Sequence, residues 1–212
     1  MDNETMSKEN DEITVEIAGV EDAEGIYKTL KANLVEIRDF NSIPKEKIKY
    51  LEEHGFLRKE VDIEYYKELI NGEKCEIYVA KKKNGKIIGF ASIHKNEYNV
   101  WNFRSTLENL YINDNGIFAL LTEKDKKFAY LDQISIIPNF KRKGIGYAII
   151  SKALYNIKSP FVAFIVEKPL ANKASILWHE YCGFKLVGTA DGGYKGEKFE
   201  WKIYLHWNNE KW

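Results

Sequence analysis

The chain has 212 residues, 44% of them hydrophobic, with five Trp, thirteen Tyr and eleven Phe, which is material for one domain with embellishments and excludes a chain without a core. Thirty-two Lys and Arg balance thirty-two Asp and Glu, so binding of nucleic acid or another polyanion through overall positive charge is not expected. Two distant cysteines, Cys75 and Cys182, and four scattered histidines supply neither a disulfide scaffold nor a metal framework; no metal and a reducing, cytoplasmic setting are expected.

Residues 1–12 carry five acids and one base with little to bury, and read as a disordered tail that lacks the apolar core of a signal peptide. A single domain is expected over 13–212. Ile13, Val15 and Ile17 alternate as a half-buried strand should, and Ile26, Leu30 and Leu34 then recur at helical spacing after Glu21 and Asp22. A second helix is expected over 42–54, with Pro44 early and Gly55 as its stop, and a short third over 62–70. Segments 75–82 and 86–94 flank Asn84-Gly85, which predicts a hairpin with a two-residue turn. Residues 96–125 read as an insertion in which 100–110 suits a helix and 117–121 a strand following Asn115-Gly116.

The most regular part follows. An apolar run over 128–137 ends at Pro138, Ile145, Ile149, Ala153 and Ile157 share a helical face, and 161–166 is continuously apolar. Strand, helix and strand at this spacing predict a βαβ unit with two buried parallel strands. A further helix fits 173–182, stopped by Gly183, and 197–206 alternates as a closing strand. No uncharged apolar run approaches about eighteen residues, so no membrane span is expected.

The neutral total hides an asymmetry: residues 133–166 contain no Asp or Glu but five Lys or Arg. Lys141, Arg142 and Lys143 directly precede Gly144-Ile145-Gly146 at a helix start. A helix N-terminus offers free N–H groups and a positive dipole end, and glycines let a ligand approach the backbone, so this loop suits a phosphate. It is not a P-loop, since G-x-x-x-x-G-K-[ST] is absent. It is a poor dinucleotide fingerprint, since Ile149 stands where a third small residue is needed.

At these residues the chain resembles the GNAT superfamily of acyl-CoA-dependent N-acetyltransferases. Segment 131–146, LDQISIIPNFKRKGIG, is similar to the family's central strand and pyrophosphate loop, R/Q-x-x-G-x-G/A, with Lys141 in the Arg/Gln slot. Segment 172–184, NKASILWHEYCGF, is similar to N-x-x-A/S-x-x-x-Y-x-x-x-G-F, with His179 in the tyrosine slot. The resemblance implies a mixed α/β fold, a strongly twisted mixed sheet of six to seven strands with a splayed central parallel pair, flanked by four or more helices. It implies acetyl-CoA as cosubstrate and partner, and acetyl transfer to a primary amine of a small molecule or peptide. The alternative is a non-catalytic acyl-CoA-binding sensor or interaction module. A homodimer is left open.

By the same resemblance, the backbone of Lys141, Arg142, Lys143, Gly144, Ile145, Gly146 and Tyr147 holds the CoA pyrophosphate. That of Ile134 and Ile136, exposed by a bulge, takes pantetheine and the thioester carbonyl. Asn172 and Ser175 border the pantetheine arm, with Asn172 equally readable as a helix N-cap. His179 is the candidate general acid if it is an imidazolium, with Tyr181 facing away about 200° round the helix; a neutral structural histidine is the competing reading. Glu167, the first acid after the acid-free stretch, is the candidate base, and Asp132 the runner-up, acting through water. Glu36, Asp39, Glu108 and Asp114 are candidates to attract a cationic acceptor.

Overall fold

A computed structural model of the chain describes residues 12–35, 43–58, 61–194 and 196–207; the tail expected over 1–12 lies outside them except for Glu12. In chain order the elements are β1 (Ile13–Ile17), α1 (Ala23–Lys31), α2 (Lys45–His54), α3 (Ile63–Asn71), β2 (Cys75–Lys82), β3 (Ile87–Glu97), α4 (Val100–Phe103), β4 (Leu107–Tyr111), α5 (Asn115–Thr122), β5 (Phe128–Ile136), α6 (Ile145–Asn156), β6 (Phe161–Lys168), α7 (Lys173–Tyr181), β7 (Lys185–Tyr194) and β8 (Glu197–His206). The strands form one mixed sheet in the order β1-β2-β3-β5-β6-β8-β7-β4, eight strands where six to seven were expected. β5 and β6 are parallel neighbours, and every other pair is antiparallel.

Both faces of the sheet are covered. On one, the α6 face formed by Ile145, Ile149, Ile150 and Ala153 packs with Tyr78, Ile88, Ala91, Ala163 and Tyr204; each isoleucine buried this way stabilises the fold by about 1.5–3 kcal/mol. On the other, Tyr130, Val162, Phe164, Trp201 and Ile203 pack with Val100 and Leu121, while Ile26 and Leu30 of α1 meet Tyr66 of α3, Val79 and Phe90. Asp62 caps α3, its side chain accepting from Tyr65 N–H at 2.9 Å. α2 stops at Gly55, whose φ of 73° is costly for a residue with a side chain. The segment after it is pinned by a parallel bridge, Val35 N–H to Leu57 O and Leu57 N–H to Asn33 O, both 2.9 Å.

Three expectations need correcting. The β2–β3 loop has three residues, not two: Gly85 N–H donates to Lys82 O at 2.8 Å and Lys82 N–H to Lys86 O at 3.0 Å, with Gly85 left-handed at φ 79° and a register shift at Ala80/Lys81. Only the glycine needs positive φ there; Asn84 instead accepts from Lys86 N–H through its side chain. In the insertion, the helix expected over 100–110 is present only as α4, Val100–Phe103, and the strand expected over 117–121 is a helix. β4 runs over Leu107–Tyr111, and 115–122 is helical because Asp114 accepts from Ile117 N–H at 2.9 Å and Ile117, Leu120 and Leu121 share a face.

The third correction is β7, which sequence reasoning passed over. Its Gly188, Gly192 and Gly193 look like loop residues, but the edge strand β4 and the residue before it pack so closely beside β7 that a Cβ at Gly192 would overlap the Thr106 carbonyl, and one at Gly188 would come within 2.5 Å of Tyr111 O. Glycine marks close backbone approach here.

Candidate functional site

β5 and β6 pair only at Ala129–Phe161 and Tyr130–Val162, although β5 continues to Ile136 and β6 to Lys168. β6 stays with β8 along its length, and β5 stays with β3. The cause of the parting lies in β5: Leu131 pairs with Ile93 and Gln133 with Ser92, so Asp132 is an extra residue with no opposite number. Such a bulge bends its strand and raises local twist. The opening is a cleft of about 900 Å³, walled by 131–136 of β5 and 163–166 of β6. Backbone on the inner side of β5 beyond Tyr130 therefore has no strand to satisfy it, which is where Ile134 and Ile136 were expected to offer theirs.

At one mouth of the cleft stands the glycine loop. After the 3-10 turn Pro138–Phe140, Arg142 is left-handed at φ 61° and Gly144 caps α6 at φ 78°. Nothing would meet a Cβ at Gly144, so the backbone there faces open space, and helix geometry leaves the N–H groups of Ile145, Gly146 and Tyr147 without intrahelical partners. Phe140, Lys141, Arg142, Gly144, Ile145, Gly146 and Tyr147 line the cleft. Lys143 does not; its ammonium sits 5.3 Å from the Phe140 ring centroid. Lys141 reaches back to donate to His54 O at 2.7 Å, closing the C-terminus of α2, and burial lowers its pKa. This loop fits a pyrophosphate on three grounds: orphan N–H groups, two nearby cations and room for close approach.

α7 forms the adjoining wall. Asn172 does cap it: its side-chain oxygen accepts from Ser175 N–H at 3.4 Å while its amide donates to Phe56 O at 2.9 Å, tying α7 to the segment after α2. Gly146 lies against Trp178, where a Cβ would sit 3.0 Å from the indole nitrogen.

His179 is fully enclosed, 3% exposed, edge-on to Trp178 and Phe184. Its Nδ1 lies 2.7 Å from Ser175 O. A carbonyl only accepts, so Nδ1 carries the proton, and Nε2 is a buried lone pair without a hydrogen-bond partner. Burial pushes its pKa down to about 4, against a smaller opposing effect of the Ser175 carbonyl. A neutral ring with its proton committed does not suit the expected imidazolium acid. Tyr181, expected to face away, borders the cleft with its ring 5.9 Å from that of Tyr147.

The carboxylates also change places. Glu167 is the bulged residue of β6 and does not line the cleft; Lys202 Nζ lies 3.0 Å from its carboxylate. Asp132 does line it, and His94 Nε2 lies 3.7 Å from Asp132 Oδ2, with the imidazole stacked at 6.0 Å on Tyr130. Glu36 and Asp39 lie outside the described residues, and Glu108 and Asp114 are not in the cleft wall.

Sequence reasoning missed His94, Arg58 and Arg104, all of which line the cleft. Arg58 pairs with Glu197 at 2.9 Å and lies over Phe199, its guanidinium carbon 4.6 Å from the ring centroid. Arg104 lies against both Tyr130 and Phe164, its guanidinium carbon 4.7 and 4.9 Å from their centroids. One signal was available: of thirty-two bases only Arg38, Arg58, Arg104 and Arg142 are arginine, and the three among the described residues all border the cleft.

The acetyltransferase (GNAT) family model matches residues 42–184. No curated protein matches the chain. Solved structures with a similar fold include the ribosomal-protein-S18-alanine N-acetyltransferase from Escherichia coli (14% identity, 92% of each chain covered, TM-score 0.54). Arabidopsis thaliana NAA60 in complex with acetyl-CoA is 11% identical over 94% of this chain and all of that one, with a TM-score of 0.56. An N-acetyltransferase from Staphylococcus aureus Mu50 is 17% identical over 93% of this chain and 99% of that one, with a TM-score of 0.53.

Proposed function

The chain belongs to the acetyltransferase (GNAT) family, and on that footing we propose that it moves an acetyl group from acetyl-CoA to a primary amine of a small molecule or peptide by direct attack. The observation that carries this reading is the parting of β5 from β6 after Tyr130 and Val162, beside a glycine loop that suits a pyrophosphate. A parted strand pair leaves backbone donors in a walled cleft, where they act on developing negative charge far more strongly than in water. Acetyl-CoA supplies an activated acyl group with a good leaving thiolate.

The chain's residues divide the remaining work. The loop from Lys141 to Tyr147 holds the pyrophosphate through backbone N–H groups and the Arg142 guanidinium. Ser175 and the edge of Asn172 border the pantetheine arm, and inner-edge backbone of β5 near Ile134 and Ile136 steadies the thioester oxygen. Asp132, oriented by His94, takes the ammonium proton directly or through a water. The amine nitrogen then bonds to the acyl carbon as the carbon–sulfur bond breaks. The thiolate, whose conjugate acid has a pKa of about 8.5, takes its proton from solvent, because His179 has none to give. Glu167 has no part in this scheme. Two buried free thiols, Cys75 and Cys182, accord with a reducing cytoplasm.

The neutral His179 also favours a second reading, an acyl-CoA-binding module without turnover. Titration calorimetry with acetyl-CoA and thiol release over a panel of amines test both. Binding with turnover supports the transferase, binding without turnover the sensor, and absence of binding overturns both.

A further inference from the structure

Two sets of groups reach the cleft from opposite faces of the sheet. α6, α7 and the glycine loop belong to the face that holds Ile145, Ile149 and Tyr204. Arg104, Asp132, His94 and Tyr130 meet on the face that holds Tyr130, Phe164 and Trp201. If the thioester enters from the first, the amine arrives from the second.

Arg104 dominates that second mouth. It follows α4, in the segment read from sequence as an insertion, and its backbone is fixed on both sides: Arg104 N–H donates to Val100 O at 2.8 Å, and Leu107 N–H to Arg104 O at 2.9 Å. Its side chain lies against two aromatic rings that touch each other, so the guanidinium is set in place before any ligand arrives. Burial lowers its pKa to about 10, opposed by the charge of Asp132, so it stays a cation at neutral pH. A chain that uses lysine for most of its bases has put arginine here, and arginine's planar fork recognises carboxylates by paired hydrogen bonds as lysine does not. A plain cationic amine would add net positive charge beside that guanidinium; an amine carrying its own carboxylate adds none, its carboxylate offsetting its ammonium.

We infer that the acceptor is a small amine with a carboxylate close to the nucleophilic nitrogen, an α-amino acid or near analogue, whose carboxylate pairs with Arg104 while its ammonium faces Asp132 and His94. The inference rests on the transferase reading above. Phe164, Phe199 and Trp201 add apolar wall, which favours an apolar side chain on that acceptor. A fixed guanidinium beside the amine also eases loss of the ammonium proton.

The test compares matched acceptors: L-phenylalanine against phenethylamine and L-phenylalaninamide, and L-leucine against 3-methylbutylamine and L-leucinamide. Thiol release is followed at constant pH, with acetyl-CoA affinity measured in parallel. The amides are the stringent controls, because their amines lose a proton more readily than those of the acids. The free acids are expected to exceed both controls in kcat/KM by about 10- to 100-fold, the range for a charged hydrogen bond. Arg104→Gln is expected to abolish that preference, and Arg104→Lys to restore part of it, while acetyl-CoA affinity stays at the wild-type value and shows that both variants fold. Equal or greater use of the controls that lack a carboxylate overturns the inference and leaves the transferase reading standing. So does acetylation of those controls with no acetylation of either acid, whereas acetyl-CoA binding with no acetylation of any amine removes the transferase reading and the inference with it. Failure to bind acetyl-CoA at all also removes the underlying reading.

Discussion

The carboxylate of Asp132 faces the imidazole of His94 at 3.7 Å, one on the bulge of β5 and the other on the neighbouring strand β3. The bulge that opens the cleft thus also re-aims its central carboxylate. Asp132→Asn keeps the shape and removes the proposed base, and general base catalysis is typically worth 10²–10⁴-fold. A fall in kcat of about that size is expected, with acetyl-CoA affinity unchanged in calorimetry. His94→Gln is expected to cost less, since it orients the base without replacing it. A wild-type kcat in Asp132→Asn would return the role of base to another group.

Arg142 carries a side chain at a φ of 61°, a conformation that costs a non-glycine residue about 1–2 kcal/mol. Arg142→Gly relieves that strain but loosens the unfolded chain by about 0.5–1 kcal/mol, so stability is expected to rise slightly or hold. Acetyl-CoA affinity is expected to fall by about 10-fold or more as a charged phosphate contact is lost. Thermal melts and calorimetry on the same samples read the two effects, whose opposite signs are the mark of strain kept for a ligand. A drop in stability with unchanged affinity would mean that the residue serves the loop alone.

His179 ties stability to pH. Its folded pKa of about 4 lies below the ordinary 6.5, so between these values the unfolded chain binds a proton that the folded chain refuses. The stability is fully present above about pH 6.5 and is lost as pH falls toward 4. From pH 7 to 5 this loss amounts to about 2 kcal/mol, or about 4–8 °C in Tm for a chain of this size. His179→Phe is expected to flatten that part of the Tm–pH curve, and the wild-type rate profile is expected to show no step from this residue between pH 5 and 8. An equally steep curve in the variant would place the titration elsewhere.

Segment 131–146 and the cap at Asn172 were legible because their chemistry is local: a glycine that must be left-handed, a run of bases, and an asparagine at a helix start. That Asp132 and not Glu167 borders the cleft was not, because the strand bulges that re-aim a side chain leave no trace in an apolar run. His179 was legible as a position but not in its charge state, which burial decides. Arg104 and His94 are single residues 27 and 37 positions before the first motif residue, Leu131, and only the pairing of β3 with β5 and the packing of α4 bring them to the cleft. The strand β7 was hidden by the same glycines that allow β4 to pack closely beside it.

That close pairing gives a way to move Arg104 without touching it. Gly192 sits directly under Thr106, two residues after Arg104, and Gly193 N–H donates to Thr106 O at 3.0 Å. Gly192→Ala forces β4 away from β7, because the obstacle is backbone on both sides and no rotamer relieves it. Overpacking of this kind typically costs about 1–3 kcal/mol, and the strain is expected at the sheet edge and not at the glycine loop on the other face. Hydrogen exchange should therefore quicken over Leu107–Tyr111, kcat/KM toward the amine should fall, and acetyl-CoA affinity should hold. Slowed exchange or an intact kcat/KM would show that the edge strand does not set the position of Arg104, and a parallel loss of acetyl-CoA affinity would show that the damage had spread across the whole cleft.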